Sequence, residues 1–332
     1  MRVLGIRVIS FIVAAVQLVI LCGCLQEQFS EPIKETQLML DTFCTITIYG
    51  AQDRTILTET FELCERYEAL FSKTVEGSDV WRINNALGAP VMVSLETAEI
   101  IRAGVEYGEL SGGMFDITIG RVSSLWDFSG VTVVPSENDL ANAVDSVDYS
   151  EIIVEGNSVQ LRNPQTQIDL GAIAKGYIAD RLADFLRDSG VEGAVIDLGG
   201  NIVVVGERPD GTPWRVGVKR PFSDDGDYLG ILNSAEASVV TSGVYERCFE
   251  QNGVLYYHIL DPRTGMPTRS NVVGATVVSD SSMLGDVLST IIVIIGSDAA
   301  SNLLYDIPGF IGAVIVLEGG EVLKYGIVDF VE

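Results

Sequence analysis

The second half of this chain is cut into short alternating segments that fold back at glycine-bearing turns. "EIIVEGNSVQLR" reads as a hairpin turning at Gly156-Asn157, and "FEQNGVLYYHIL" as another with Asn252-Gly253 at its tip. "AVIDLGGNIVVVG" reads as a buried strand bent at its glycines, and "PDGTPW" as a turn into a further strand. The C-terminus returns to strands around Gly319-Gly320. Antiparallel neighbours need only a tight turn, whereas parallel ones need a long crossover. The pattern predicts an α+β fold with an antiparallel core, not a doubly wound dinucleotide-binding sheet. Neither GxGxxG nor a Walker A motif occurs, and the two copies of "IDLG", at 168–171 and 196–199, are too few for a repeat architecture.

Helices flank these strands. Residues 55–72 place Ile56, Leu63, Tyr67, Leu70 and Phe71 at helical spacing. A second helix starts at Ser94, a natural N-cap with Glu96 in the first turn, and stops at Gly112-Gly113. A short one follows Pro135-Ser136, "AIAKGYIADRLADFLRDSG" is a helix closed by Gly190, and "SSMLGDVLSTIIVIIG" is a mostly apolar helix. Near the start, "LMLDTFCTITIYG" alternates as a strand, with Leu38, Leu40, Cys44, Ile46 and Ile48 on one face. A length of 332 residues suffices for one large domain or two packed subdomains.

The first residues follow a different logic. "MRVLGIR" carries Arg2 and Arg7 and no acid, and the run that follows is apolar through Ile20 except for Ser10 and Gln17. This is a signal-peptide layout. Leu21-Cys22-Gly23-Cys24 resembles a bacterial lipobox, which predicts cleavage before Cys24 and lipidation of that cysteine. An uncleaved anchor is the other reading, because the run approaches spanning length. The expected organisation is a lipoprotein signal peptide over 1–23, a polar linker over 24–36 and one functional domain over 37–332. The domain would be lipid-anchored on the extracytoplasmic face of the cell membrane. Cys44, Cys64 and Cys248 remain in the body; an odd number without a CxxC supplies neither a disulfide framework nor a zinc site.

The net charge of −25 argues against nucleic acid as a partner and against electrostatic docking on anionic lipid. A phosphate-bearing ligand would need a local Lys or Arg, or a metal cation. Three places offer such chemistry. Asp286 and Thr290 lie i, i+4 in the apolar helix, so their oxygens share a face suited to Mg²⁺; taken alone, they read first as a dipole-stabilising aspartate and a packing threonine. In "IDLGAIAKG", an acid, a turn and a helix start with Lys175 suit a phosphate, or an ordinary strand–turn–helix. "GGMFDITIG" suits a planar heterocycle contacted by apolar side chains and held by one acceptor, Asp116, or a core strand entry. "TSGVYERCF" adds Tyr245 and Arg247. The lone histidine, His258, precedes Asp-Pro-Arg-Thr-Gly.

Taken together and in order, "MLDTF", "GGMFDITIG", "IDLGAIAKG", "IDLGGN", "SGVYER", "HILDPRTG" and "DVLST" closely resemble the ApbE family of FAD:protein FMN transferases. The resemblance implies a T-fold-like antiparallel core with flanking helices and two packed subdomains, with FAD in the cleft between them. It implies that Met39, Met114, Phe115, Asp116, Asp169, Lys175 and Leu260 contact FAD, and Tyr245 and Arg247 are expected to bind it with them. Thr74 falls where the family often carries an aromatic flavin contact. It further implies Mg²⁺ held by the Ala172 carbonyl, Asp286 and Thr290, and a catalytic His258 oriented by Asp261. The implied reaction transfers FMN from FAD to a threonine hydroxyl of a redox protein subunit and releases AMP. The rival readings are a metal-dependent FAD pyrophosphatase and a non-enzymatic flavin-binding lipoprotein.

Overall fold

The structure is a computed structural model; it describes residues 31–332 except 51, 52, 131, 224 and 225. The signal-peptide and lipidation expectations, Cys24 included, lie outside the described residues. No helix among the described residues is long and apolar enough to cross a membrane.

One eight-stranded sheet organises the chain. Numbered along the chain, its strands are β1 (Ile33–Met39), β2 (Thr42–Tyr49), β3 (Gly193–Leu198), β4 (Asn201–Gly206), β5 (Ala237–Gly243), β6 (Val272–Ser279), β7 (Phe310–Leu317) and β8 (Val322–Gly326). Their order in the sheet is their order in sequence, and every pairing is antiparallel. The α+β class and antiparallel core expected from the hairpin-rich sequence are therefore observed.

Two local readings change. The segment around residue 40 is a hairpin, not one strand: Met39 pairs with Thr42 across a two-residue turn, and Leu38 faces solvent opposite Phe43. Strand β1 also begins at Ile33, inside the expected linker. Likewise Gly199 and Gly200, both at positive φ, close a β3–β4 hairpin where a bent strand was expected. Glycine permits either outcome, because it adopts left-handed backbone without steric cost.

Helices α1 (Arg54–Phe71), α3 (Ala174–Asp188) and α4 (Ser282–Ile295) pack on this sheet, and α2 (Leu95–Leu110) lies against the short strand Ile152–Glu155. The first buries Leu57, Phe61, Cys64, Tyr67 and Phe71, while Ile56, Leu63 and Leu70 are only half-buried. Ser94 caps α2 by accepting from Thr97 N, as its sequence predicts. The apolar α4 lies on β5 and β6 and crosses α3, which explains why it is hydrophobic nearly all round. The α3–α4 crossing is tight at Gly176, where an added Cβ would lie 2.5 Å from the Ser282 carbonyl oxygen and 2.6 Å from Met283 Cα.

A second, smaller apolar cluster forms a lobe beside the main core. It contains Val122, Trp126, Leu140, Ala143 and Leu260. Trp126 Nε1 donates to the Gly265 carbonyl over 2.9 Å and so fastens the Asp-Pro-Arg-Thr-Gly turn to this lobe.

Candidate active site

Asp286 lies one turn into α4 and is 4% exposed. The Gly176 amide is one of the first-turn N–H groups of α3 that have no partner within the helix. It donates to Asp286 Oδ2 over 2.9 Å. Burial raises the Asp286 pKa; Lys175 and the Gly176 N–H oppose the rise, and Asp180 adds to it. Asp180 itself, on α3, caps α4 by accepting from Ser281 Oγ (2.8 Å), Ser282 N (2.7 Å) and Met283 N (3.0 Å). The Asn201 amide also favours the Asp286 carboxylate electrostatically, but it falls short of hydrogen-bonding geometry: its Nδ2 is buried and has no partner.

Thr290 follows one turn after Asp286, half-buried, with Oγ1 3.3 Å from Ser242 Oγ on β5. Ala172 lies in the turn ahead of α3, whose ladder starts at the Ile173 carbonyl. The Ala172 carbonyl is thus outside the helix's own bonding. No group of three or more His, Cys, Asp and Glu side chains that could hold a metal forms among the described residues. A metal here would rest on one carboxylate, a hydroxyl, a carbonyl and water or phosphate oxygens. That all-oxygen donor set fits Mg²⁺, which keeps waters and binds through few carboxylates.

His258 follows the strand Val254–Tyr257, and its N–H donates to the Arg247 carbonyl over 3.1 Å. The residue is exposed to solvent by surface area, yet protein atoms crowd around it. That crowding first, then the charges of Arg247 and Lys175, lowers the imidazole to about 4. The side chain is therefore neutral at pH 7, where an unperturbed imidazole would be titrating. Arg247 Nη2 also donates to the Asp41 carbonyl (3.0 Å), and Leu40 N donates to Glu68 Oε1 (2.9 Å). These bonds hold the Leu40-Asp41 turn, where both residues have left-handed φ, directly after the half-buried Met39.

The other expected site residues each have partners within the protein. Asp261 does not orient His258: its Oδ1 accepts from Arg263 N (2.9 Å) and Nε (3.0 Å), and its Oδ2 from Arg263 Nη2 (2.7 Å). Burial opposes its ionisation, but Arg263 wins and lowers the pKa. Asp116 is buried and bound on both oxygens, by Thr118 N (2.8 Å) and Oγ1 (2.6 Å) on Oδ1 and by Tyr149 N (3.0 Å) on Oδ2. It organises the loop around it, and its one unfilled lone-pair site, on Oδ2, belongs to a residue only 9% exposed. Phe115 is buried edge-on to Tyr107, with half-buried Met114 beside it, and Leu260 is enclosed in the smaller cluster. The Tyr245 ring lies against Gly243, where an added Cβ would come 2.4 Å from Cε1; burial raises its phenol pKa. Thr74 is exposed, with its N–H on Ser72 Oγ at 3.2 Å.

Asp169 is tied to a residue that the sequence reading did not single out. Its Oδ2 meets Lys73 Nζ at 2.8 Å and Ser123 Oγ at 2.6 Å, and its Oδ1 accepts from Gly171 N at 2.9 Å. Burial would raise the Asp169 pKa, but Lys73 and these hydrogen bonds bring it below the usual range. A lysine directly after a helix reads as solvated, so no local signal marked it.

The comparisons with known proteins agree with this architecture. A match to the ApbE family spans residues 40–315. A Klebsiella pneumoniae protein named FAD:protein FMN transferase is 39% identical over 247 residues, covering 73% of this chain and 76% of its own. One of the same name from Vibrio cholerae is 31% identical over 299 residues, covering 87% and 88%. The crystal structure of an ApbE protein from Thermotoga maritima superposes with a TM-score of 0.81 at 33% identity, covering 89% of this chain and 97% of that one. The flavin transferase ApbE from Vibrio cholerae gives 0.79 at 27%, covering 89% and 96%. Sheet, helices and relatives define an enzyme of the flavin-transferase class. The chain belongs to the ApbE family.

Proposed function

We propose that this chain transfers FMN from FAD to a threonine hydroxyl of a redox protein subunit and releases AMP. The observation that carries this reading is the buried Asp286 carboxylate on the Gly176 amide. Lys175 lies close enough to act on both Asp286 and His258, in a chain whose relatives are named for this reaction. FAD is the substrate. Asp286, Thr290 and the Ala172 carbonyl would hold Mg²⁺, which when bound supplies positive charge to the pyrophosphate oxygens.

The chain's own residues then do the following. Lys175 adds positive charge on the phosphate side of the site. The acceptor hydroxyl attacks the phosphorus on the riboflavin side; a new O–P bond forms, the pyrophosphate P–O bond breaks, and AMP leaves with that bonding pair. The hydroxyl proton passes to the neutral imidazole of His258. A low pKa keeps this ring unprotonated, and an anionic pyrophosphate nearby would raise its basicity when it is needed.

The lipobox reading places the mature protein on the extracytoplasmic face of the membrane through Cys24. Cys24→Ala should leave a precursor of higher mass without lipid; an unchanged mass and lipid label would refute this placement.

The decisive test of activity incubates the mature chain with FAD, Mg²⁺ and fragments of candidate flavoprotein subunits. A yellow fluorescent band surviving a denaturing gel is the expected result. Release of FMN and AMP without a labelled band, across acceptors bearing an exposed threonine, would make the chain a pyrophosphatase instead.

A further inference from the structure

Lys73 ends up in an unusual position for a lysine one residue past the C-cap of a helix. Its side chain is 26% exposed, and Nζ points inward at Asp169 Oδ2 (2.8 Å), Ser123 Oγ (2.7 Å) and Ser124 Oγ (3.3 Å). An ammonium has three N–H donors and no more. All three are engaged, so no donor is left for a ligand phosphate. Whatever Lys73 contributes must pass through its neighbours.

The neighbours are placed to use it. Asp169 Oδ2 receives Lys73 and Ser123 and is thereby filled, whereas Oδ1 receives only Gly171 N. A carboxylate oxygen has two lone-pair sites, so Oδ1 retains one. The Asp169 side chain is 20% exposed and so is not sealed in the core. The Asp169 N–H is fixed on the Ile117 carbonyl at 2.8 Å, so backbone and side chain are both held. The same latch joins the end of α1, the short helix Gly120–Ser123 and the 169–172 turn that leads into Lys175.

We infer that Lys73 is a positioning residue for the flavin nucleotide: it fixes Asp169 so that the remaining Oδ1 lone pair meets an N–H or O–H donor of bound FAD. The inference rests on the proposed function, because it takes FAD as the ligand. It extends that reading to a side chain that never touches the nucleotide.

The test compares wild type, Lys73→Met, Lys73→Arg, Asp169→Asn and the Lys73→Met/Asp169→Asn double variant. FAD affinity is read by flavin fluorescence, and transfer by single-turnover labelling of an acceptor. Loss of one charge-assisted hydrogen bond to a held carboxylate weakens binding by about 10- to 100-fold. Lys73→Met should show that loss in KM and Kd for FAD, with kcat at saturating FAD within about threefold of wild type. Lys73→Arg should recover most of the affinity, since charge and donors are restored. In the Asp169→Asn background, Lys73→Met should cost little more, which is how coupling through one partner appears in a cycle. Thermal melts identify any variant that has simply unfolded, and Lys73→Arg keeps the test alive in that case. Unchanged affinity in a folded Lys73→Met overturns the inference, as does a loss confined to kcat or full additivity with Asp169→Asn. A wild-type chain that binds no FAD overturns the functional reading instead, and is recognised before any variant is made.

Discussion

The Gly176 amide and the Asp286 carboxylate meet at 2.9 Å across the α3–α4 crossing. This one bond fixes which way Asp286 faces, and the crossing is close enough to permit it only because residue 176 lacks a Cβ. Helix α4 and the helix carrying Lys175 are therefore set by a packing contact, not by a flexible loop.

Replacing Gly176 with Ala tests that dependence. The new methyl would lie 2.5 Å from the Ser282 carbonyl oxygen, which is backbone and cannot swing away. Overpacking of this kind costs about 1–3 kcal/mol. Urea unfolding should show a lower midpoint, and transfer should fall although every side chain proposed to act is intact. A Gly176→Ala protein with wild-type stability and rate would mean that the helices separate freely.

Asp286 bears on the metal. Asp286→Ala should slow transfer by on the order of 10²–10³, the usual cost of removing one preorganised electrostatic group. FAD affinity should change little if the ring is held by the residues that the resemblance implies, which lie elsewhere, and EDTA should mimic the variant in the wild type. Full labelling activity in excess EDTA would remove the metal from the reaction.

The leaving group makes a third expectation. FAD should label the acceptor and free FMN should not, because only the pyrophosphate offers a bond to break in exchange for the new phosphoester. Equal labelling by FMN with Mg²⁺, scored on the same gel, would show that another bond is cleaved.

How far these features can be read from sequence depends on whether a residue's neighbours in space are also its neighbours in the chain. Asp286 stands out in "SSMLGDVLSTIIVIIG" because a carboxylate among buried apolar residues demands a partner. The Asn252-Gly253 hairpin tip is equally plain, since both residues adopt positive φ without penalty from turn chemistry. The Leu40-Asp41 turn carries no glycine, asparagine or proline and is held by Glu68 and Arg247, which are remote in sequence. It therefore looked like the middle of a strand. Asp116 and Asp261 stand out as acids in the right strings, but that each is already bonded, by Thr118 and Tyr149 and by Arg263, shows only in the structure. Lys73 and Asp169 are separated by 96 positions, and no local pattern announces the pair.

His258 carries the last prediction. Its native pKa of about 4 lies below the ordinary value of 6.5. Between those two values the unfolded chain binds the proton and the native one does not, so stability rises with pH across that window. The contribution is complete above about pH 6.5 and is lost as pH falls through about 4. His258→Gln removes the titrating group, and its urea midpoint should therefore fall less than wild type between pH 6.5 and pH 4. The catalytic consequence is separate. If the neutral ring takes the hydroxyl proton, the variant should bind FAD nearly normally and transfer about 10²–10⁴-fold more slowly. In the wild type, kcat/KM should show no histidine limb from about pH 5 to pH 9, because the free enzyme's imidazole is already unprotonated there. An acid limb should appear only in kcat, at a pH raised by the bound pyrophosphate, and should be missing from His258→Gln. No other histidine exists in the chain to supply it. A variant that regains the full rate at saturating FAD, with the kcat limb intact, would make His258 a binding residue and send the search for a base to the carboxylates around Lys175.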